Sequence, residues 1–190
     1  FAALAIVWYD EVNNKWGVCV RLYLNELAIQ ESGNAHLAGW ARQEYVTVTD
    51  GDLTDFDCVA DDMRAMCRRL NVQEIAFDPA LSMYFAGKLL EEGLPMVEIT
   101  QRPVFFTPVL IQVENLVREG RIRHEDNPVM AWMVSNLVVK QSKFNELMAP
   151  TKERPENKID GPMAMLMALG RALVLAPPPS VYETRGIRFL

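Results

Sequence analysis

The stretch QEIAFDPALSMYFAGKLLEEGLPMVEI, residues Gln73 to Ile99, decides the fold class. Gln73 to Phe77 is a short apolar strand ending in Asp78-Pro79. Leu81, Tyr84, Phe85 and Leu89 then recur at helical spacing until Gly93 closes the helix. Pro95 to Ile99 is a second strand of the same kind. Strand, helix, strand in this order predicts a parallel βαβ unit. Asp78 then falls at the carboxyl end of a parallel strand, where open α/β sheets collect their ligands.

Working outward toward the C-terminus, Thr107-Pro108 opens a helix carrying Val109, Val113, Leu116 and Val117 until Gly120 stops it. Asn127-Pro128 opens another, running through Trp132 to about Val138. Gln141 to Lys158 is polar and contains proline, and reads as a long loop. Ile159 to Leu173 is a helix apolar nearly all round, which places it in the core or against a sheet. The run Ala176-Pro-Pro-Pro-Ser180 is extended, since successive prolines cannot continue a helix.

Toward the N-terminus, Val59, Met63, Met66, Cys67 and Leu70 share one helix face, with Thr54 and Asp57 spaced as a capping box. Ala2 to Trp8 is a continuous apolar run and Trp16 to Leu24 alternates. The Asp10 to Lys15 stretch between them is a hairpin turn, so two antiparallel strands open the chain. Gln43 to Thr49 is a third strand, and Asn34 to Trp40 admits a short helix. The expected fold is α/β: a mixed sheet of antiparallel N-terminal strands followed by parallel βαβ units, flanked by helices.

With 190 residues, half of them hydrophobic, the chain can bury one sizeable core and reads as a single domain. Its apolar runs are far shorter than the roughly 20 residues that cross a bilayer, so no membrane association is expected. Cys19, Cys58 and Cys67 are odd in number and lack CxxC spacing, which argues against a disulfide framework or a zinc site. No GxxxxGK[ST] phosphate loop occurs. The net charge of −6 runs against a protein that coats nucleic acid, unless the acidic excess is local, gathered to hold divalent metals.

Two carboxylates stand at the mouths of apolar elements: Asp78, and Asp160 at the start of the most apolar helix. Helix capping alone accounts for either one. Jointly they are what a pair of hard divalent cations needs, and such pairs activate water for phosphodiester hydrolysis. Lys152, Arg154 and Lys158 lie next to Asp160 in sequence and could contact phosphates, or only solvent. Gln101-Arg102 could face the same sheet edge as Asp78. His124 near a helix start reads as structural, and Trp132 as core packing. The acidic stretch Asp50 to Asp57 lacks the glutamate that completes a calcium loop, and reads as a turn with a helix cap.

The residues His124-Glu-Asp-Asn-Pro-Val-Met-Ala-Trp-Met-Val-Ser-Asn136, then Lys158-Ile-Asp-Gly161 and the Met163 to Leu173 helix, resemble the terminase large subunit nuclease of long-tailed phages. Ile75-Ala-Phe-Asp-Pro79 and Glu98-Ile-Thr-Gln101 match that family's second acidic strand and the strand after it, in order. The resemblance implies an RNase H-like endonuclease in which three acidic residues bind two magnesium or manganese ions. Asp78 would be the second and Asp160 the third. The first would lie upstream of Phe1, with Asp10 a poor substitute, so the chain is expected to be a fragment that also lacks the family's N-terminal packaging ATPase. The implied role is cutting concatemeric double-stranded viral DNA at the start and end of packaging. Implied partners are the DNA, the portal protein and the small terminase subunit, in an oligomeric motor in the host cytoplasm. A non-catalytic DNA or portal docking module is the competing reading, and a resolvase-type RNase H-like enzyme a further one.

Overall fold

The computed structural model describes residues 1–175, with the side chains of Leu81 and Ser82 left undescribed. The expected extended run Ala176 to Ser180 lies outside the described residues. Strands β1 (Ala2–Asp10) and β2 (Lys15–Asn25) form the expected hairpin, in register from Ala2 opposite Tyr23 to Asp10 opposite Lys15. The Asp10 carboxylate accepts from the backbone and side-chain amides of Asn13, and Asn14 takes a left-handed φ of 52° to close the turn.

The other edge of β2 is shared end to end by two short parallel strands. β3 (Thr47–Thr49) pairs with Tyr23–Asn25, while Trp16–Val18 pairs with a strand absent from the sequence reading, Ile122–His124. In the interval between them the Glu125 carboxylate stands in for a strand. It accepts from the Val20 N–H at 2.8 Å and from the Cys19 thiol at 2.8 Å. The third strand is shorter than Gln43–Thr49 because α1 (Glu26–Gln30), α2 (Leu37–Arg42) and a left-handed Glu44 (φ 61°) occupy the approach to it.

Helix α3 (Phe56–Arg69) starts from Asp55, not Thr54: Asp55 is extended and its carboxylate accepts the Asp57 N–H. The predicted βαβ unit is present as β4 (Ile75–Phe77), α4 (Pro79–Glu91) and a parallel β5 (Met96–Glu98), with Gly93 left-handed at φ 87° after the helix. This pair of strands is not hydrogen-bonded to the β1–β2 sheet.

Helix α5 (Pro103–Arg118) begins four residues ahead of the expected Thr107-Pro108 start. Pro108 is tolerated inside it because the carbonyl it deprives belongs to exposed Val104, which water can reach. After the strand Ile122–His124, now β6, comes α6 (Pro128–Ser135), shorter than predicted. Leu137–Gln141 (β7) and Met148–Lys152 (β8) then form an antiparallel hairpin where a long loop was expected. Pro150 fits there because the Ser142-to-Leu147 bond fixes an alternation that turns the Pro150 nitrogen away from β7. On that same outward side the Thr107 hydroxyl accepts the Met148 N–H at 2.8 Å, tying the hairpin to α5. The last described element is α7 (Asp160–Leu175).

The two faces of the β1–β2 sheet are covered differently. On one face Tyr23 donates to Asp62 of α3 at 2.6 Å, joined by Arg21 at 3.0 Å; burial, then Asp62, pushes the Tyr23 phenol well above its usual range. On the other face Leu22 and Leu24 pack with Val129 and Met133 of α6, and Trp16 packs with Leu116 and Leu169 of α5 and α7. Leu22, Leu89, Leu116 and Leu169 are at most 1% exposed, each burial contributing about 1.5–3 kcal/mol. The fold is the mixed α/β arrangement flanked by helices that the sequence predicts, with β4 and β5 forming a pair of their own rather than extending the β1–β2 sheet.

Candidate active site

A cleft of about 1730 Å³ separates the open edge of β1 from β4. Consecutive residues from Phe1 to Tyr9 line one side of it, as expected of a strand edge whose other edge is taken by β2. Met63 and Met66 of α3, Leu70 just after it, and Met163 and Met167 of α7 line it as well. Val7 packs on the same buried cluster as Ala172 and Leu173, while the Phe1 backbone nitrogen lies within reach of the charges of Asp160, Lys158 and Lys152; β1 therefore runs alongside α7 in the same sense. Glu74 pairs with Arg171 at 2.6 Å and Ala76 packs near Leu166 and Met167, so β4 runs the opposite way.

Asp78 and Asp160 both line this cleft. Asp78 caps α4, accepting the Ala80 N–H at 3.0 Å, so the capping reading holds for it and leaves it at the end of β4 facing the cleft. Asp160 is the first residue of α7. Its Oδ2 is buried and has no hydrogen-bond partner among the described residues. A buried carboxylate oxygen left unsatisfied is costly unless a cation meets it, so Asp160 fits a hard divalent ion, for which carboxylate oxygens are the natural donors. Among the described residues no group of three or more His, Cys, Asp or Glu side chains is gathered as a metal site.

Lys152 and Arg154 line the same cleft, at the end of β8 and just beyond it. Lys158 is not among the lining residues, although its charge reaches the Phe1 end of β1. Gln101 lines the cleft and Arg102 does not. Asp10 is at the far end of β1, engaged with Asn13, so it stands away from Asp160. The His124 side chain is 62% exposed at the end of β6, where its Nδ1 accepts the Asp126 N–H at 3.3 Å, and Trp132 packs against Trp40 and Phe1.

Of two further residues at the site, Lys140 was not singled out by sequence, and Asn136 was named only as part of the block from His124, one helical turn past Trp132. Lys140 of β7 lines the cleft, a placement visible only once Gln141 to Lys158 is known to fold back as a hairpin. Asn136, 8% exposed, ends α6 and donates from Nδ2 to the Lys158 carbonyl at 3.1 Å. The signal for it was a lone asparagine one helical turn past Trp132, which says nothing of its distant partner.

Comparison with known proteins adds four findings. Residues 26–175 match the profile of the family described as "Terminase large subunit, endonuclease domain". The chain is 32% identical over 155 residues to Protein YmfN of Escherichia coli strain K12, covering 80% of this chain and 34% of that protein. It is 29% identical over 136 residues to the large terminase subunit of Enterobacteria phage HK97, covering 70% of this chain and 27% of that protein. The crystal structure of the HK97 bacteriophage large terminase superposes with a TM-score of 0.80 at 26% identity, over 90% of this chain and 36% of that one. The chain thus spans about a third of the length of these relatives.

Proposed function

Because this chain belongs to the terminase large subunit endonuclease-domain family, we propose that it hydrolyses phosphodiester bonds of double-stranded DNA at the mouth of the cleft holding Asp78 and Asp160. The observation that carries this reading is the buried, unpartnered Oδ2 of Asp160 on the cleft that Asp78 also lines. Asp78 and Asp160 would hold two Mg2+ or Mn2+ ions. When bound, such ions activate water and stabilise the leaving 3′-oxygen. Asp78 is oriented by its own helix cap and Asp160 by the first turn of α7, so both ligands project from rigid elements. Lys152 and Arg154, with Lys158 behind them, would draw the DNA backbone to the mouth against a chain charge of −6.

The third carboxylate is expected on a strand ahead of Phe1, lying in the cleft. Two facing edges, those of β1 and β4, carry no partner strand among the described residues, and the helices α3 and α7 line the space between them. Since β1 and β4 run oppositely, one strand between them can pair antiparallel with β1 and parallel with β4. A hairpin into Phe1 brings that strand's last residues to the mouth, beside Asp160. The packaging role proposed with it is cutting concatemeric viral DNA at initiation and termination, together with portal and small subunit in the host cytoplasm, a reading supported by membership of the family. No helix among the described residues is long and apolar enough to cross a membrane.

The test is plasmid cleavage with Mn2+ by this chain, by a version extended upstream of Phe1, and by that version carrying Asp78→Asn or Asp160→Asn. Cutting by the extended protein and by neither variant is expected. Cutting at the wild-type rate by either variant removes that carboxylate from the site. No cutting by any version, with folding confirmed, favours the docking module, which the acidic net charge also suits.

A further inference from the structure

The chain from β8 into α7 makes a short excursion, residues 153 to 159, before Asp160, and α6 holds both of its ends. At the near end the backbone carbonyl of Asn136 accepts the Glu153 N–H at 3.0 Å. At the far end the Asn136 side-chain amide donates to the Lys158 carbonyl at 3.1 Å. One turn back, the Met133 sulfur accepts the Gly161 N–H at 3.3 Å in a fully buried setting. A Cβ on Gly161 would lie 2.9 Å from the Met130 sulfur and 3.3 Å from that of Met133, so α6 and the start of α7 are in close contact. Ile159, buried between these anchors, accepts the Met163 N–H that begins the helix.

We propose that Asn136 is a positioning residue for Asp160: it fixes the backbone two residues before the carboxylate, as Met133 fixes it one residue after. The proposal rests on the reading of Asp160 as a metal ligand. Both protein anchors act on the main chain, so the Asp160 side chain needs no hydrogen bond of its own on Oδ2 to hold its direction, and that oxygen stays available to a cation. Without the Asn136 amide, the Lys158 carbonyl loses its partner and the excursion is held at one end only. The Asp160 carboxylate then samples several directions. Groups that orient a metal ligand in this way typically change metal affinity by about 10–100-fold when removed.

The experiment is Mn2+ titration followed by electron paramagnetic resonance of the free ion, well below the melting temperature, on the version extended upstream of Phe1 and on the same version carrying Asn136→Ala, Asn136→Ser, Gly170→Ala or Asp160→Asn. Asn136→Ala is expected to bind Mn2+ about 10–100-fold more weakly. Asn136→Ser keeps a donor and recovers part of that loss. Gly170→Ala weakens the fold away from the site and leaves the affinity unchanged, which separates positioning from stability. Affinity within threefold of wild type in Asn136→Ala, while Asp160→Asn loses binding, overturns the positioning role and leaves the metal reading intact. Equal binding by wild type and Asp160→Asn overturns the metal reading, and this proposal with it.

Discussion

Glu125→Ala removes the side chain that completes the outer edge of β2. In the interval between β6 and β3 the Val20 N–H has no strand opposite it, and Glu125 meets it at 2.8 Å while also accepting the Cys19 thiol at 2.8 Å. A hydrogen bond to a charged acceptor contributes about 1.5–3 kcal/mol, and Glu125 is exposed enough for water to replace part of it, so a loss of about 1–2 kcal/mol is expected. For a domain of this size that lowers Tm by roughly 2–8 °C. Glu125→Gln keeps an acceptor for Val20 and recovers about half of the loss. A second readout is independent of stability. Burial first, and then Glu125, pushes the Cys19 thiol up to about 11 from a usual 9.0. A raised acid pKa stabilises the fold fully below pH 9.0, and that contribution fades as pH rises toward 11. Glu125→Ala should move Cys19 reactivity toward a disulfide reagent to lower pH, part of the way only, because burial remains. Thermal melts and thiol titration unchanged in Glu125→Ala would refute the argument that this carboxylate substitutes for a strand.

The Glu74–Arg171 pair makes the hold of α7 on β4 acid-sensitive. Arg171 keeps the Glu74 carboxyl below its usual value of 4.5, so the stabilisation is fully present above that value and is lost as pH falls through the lowered one. Melts between pH 7 and pH 3 should fall less steeply in Glu74→Gln than in wild type, and parallel slopes would exclude the pair as a contributor. Gly170→Ala should destabilise by about 1 kcal/mol: overpacking against Phe105 and Val109, 2.6 and 2.8 Å from the new Cβ, costs about 1–3 kcal/mol, offset by about 1 kcal/mol of helix propensity. A higher Tm in that variant would mean that α5 yields more easily than its packing implies.

The βαβ unit from Gln73 to Ile99 was legible because its signals are local: an apolar triplet, Asp-Pro at a helix start, and a glycine needed at φ 87° after it. β6 was not legible. Two of its three residues, Arg123 and His124, are polar, and only the pairing with Trp16–Val18, more than a hundred residues earlier, makes it a strand. The β7–β8 hairpin was hidden by Pro150, which suits a strand only where its nitrogen points away from the partner. At the site, each of Asp78 and Asp160 reads locally as a helix cap, and Asp78 is one. That they open on a common cleft depends on α7 lying across β1 and β4, which no single segment encodes. Asn136 shows the same limit: its chemistry was visible, but its partner 22 residues on was not.

The open edge of β1 has a consequence for the molecule in solution. Nine consecutive residues, seven of them apolar from Ala2 to Trp8, have no strand paired to their outer edge among the described residues, with few charges there to repel a neighbour. Such an edge is a template for strands from other molecules, and short-lived widening of the cleft would let two copies zip together. Self-association that grows with concentration, and is suppressed by charged residues placed along β1, is therefore the characteristic hazard of handling this domain alone.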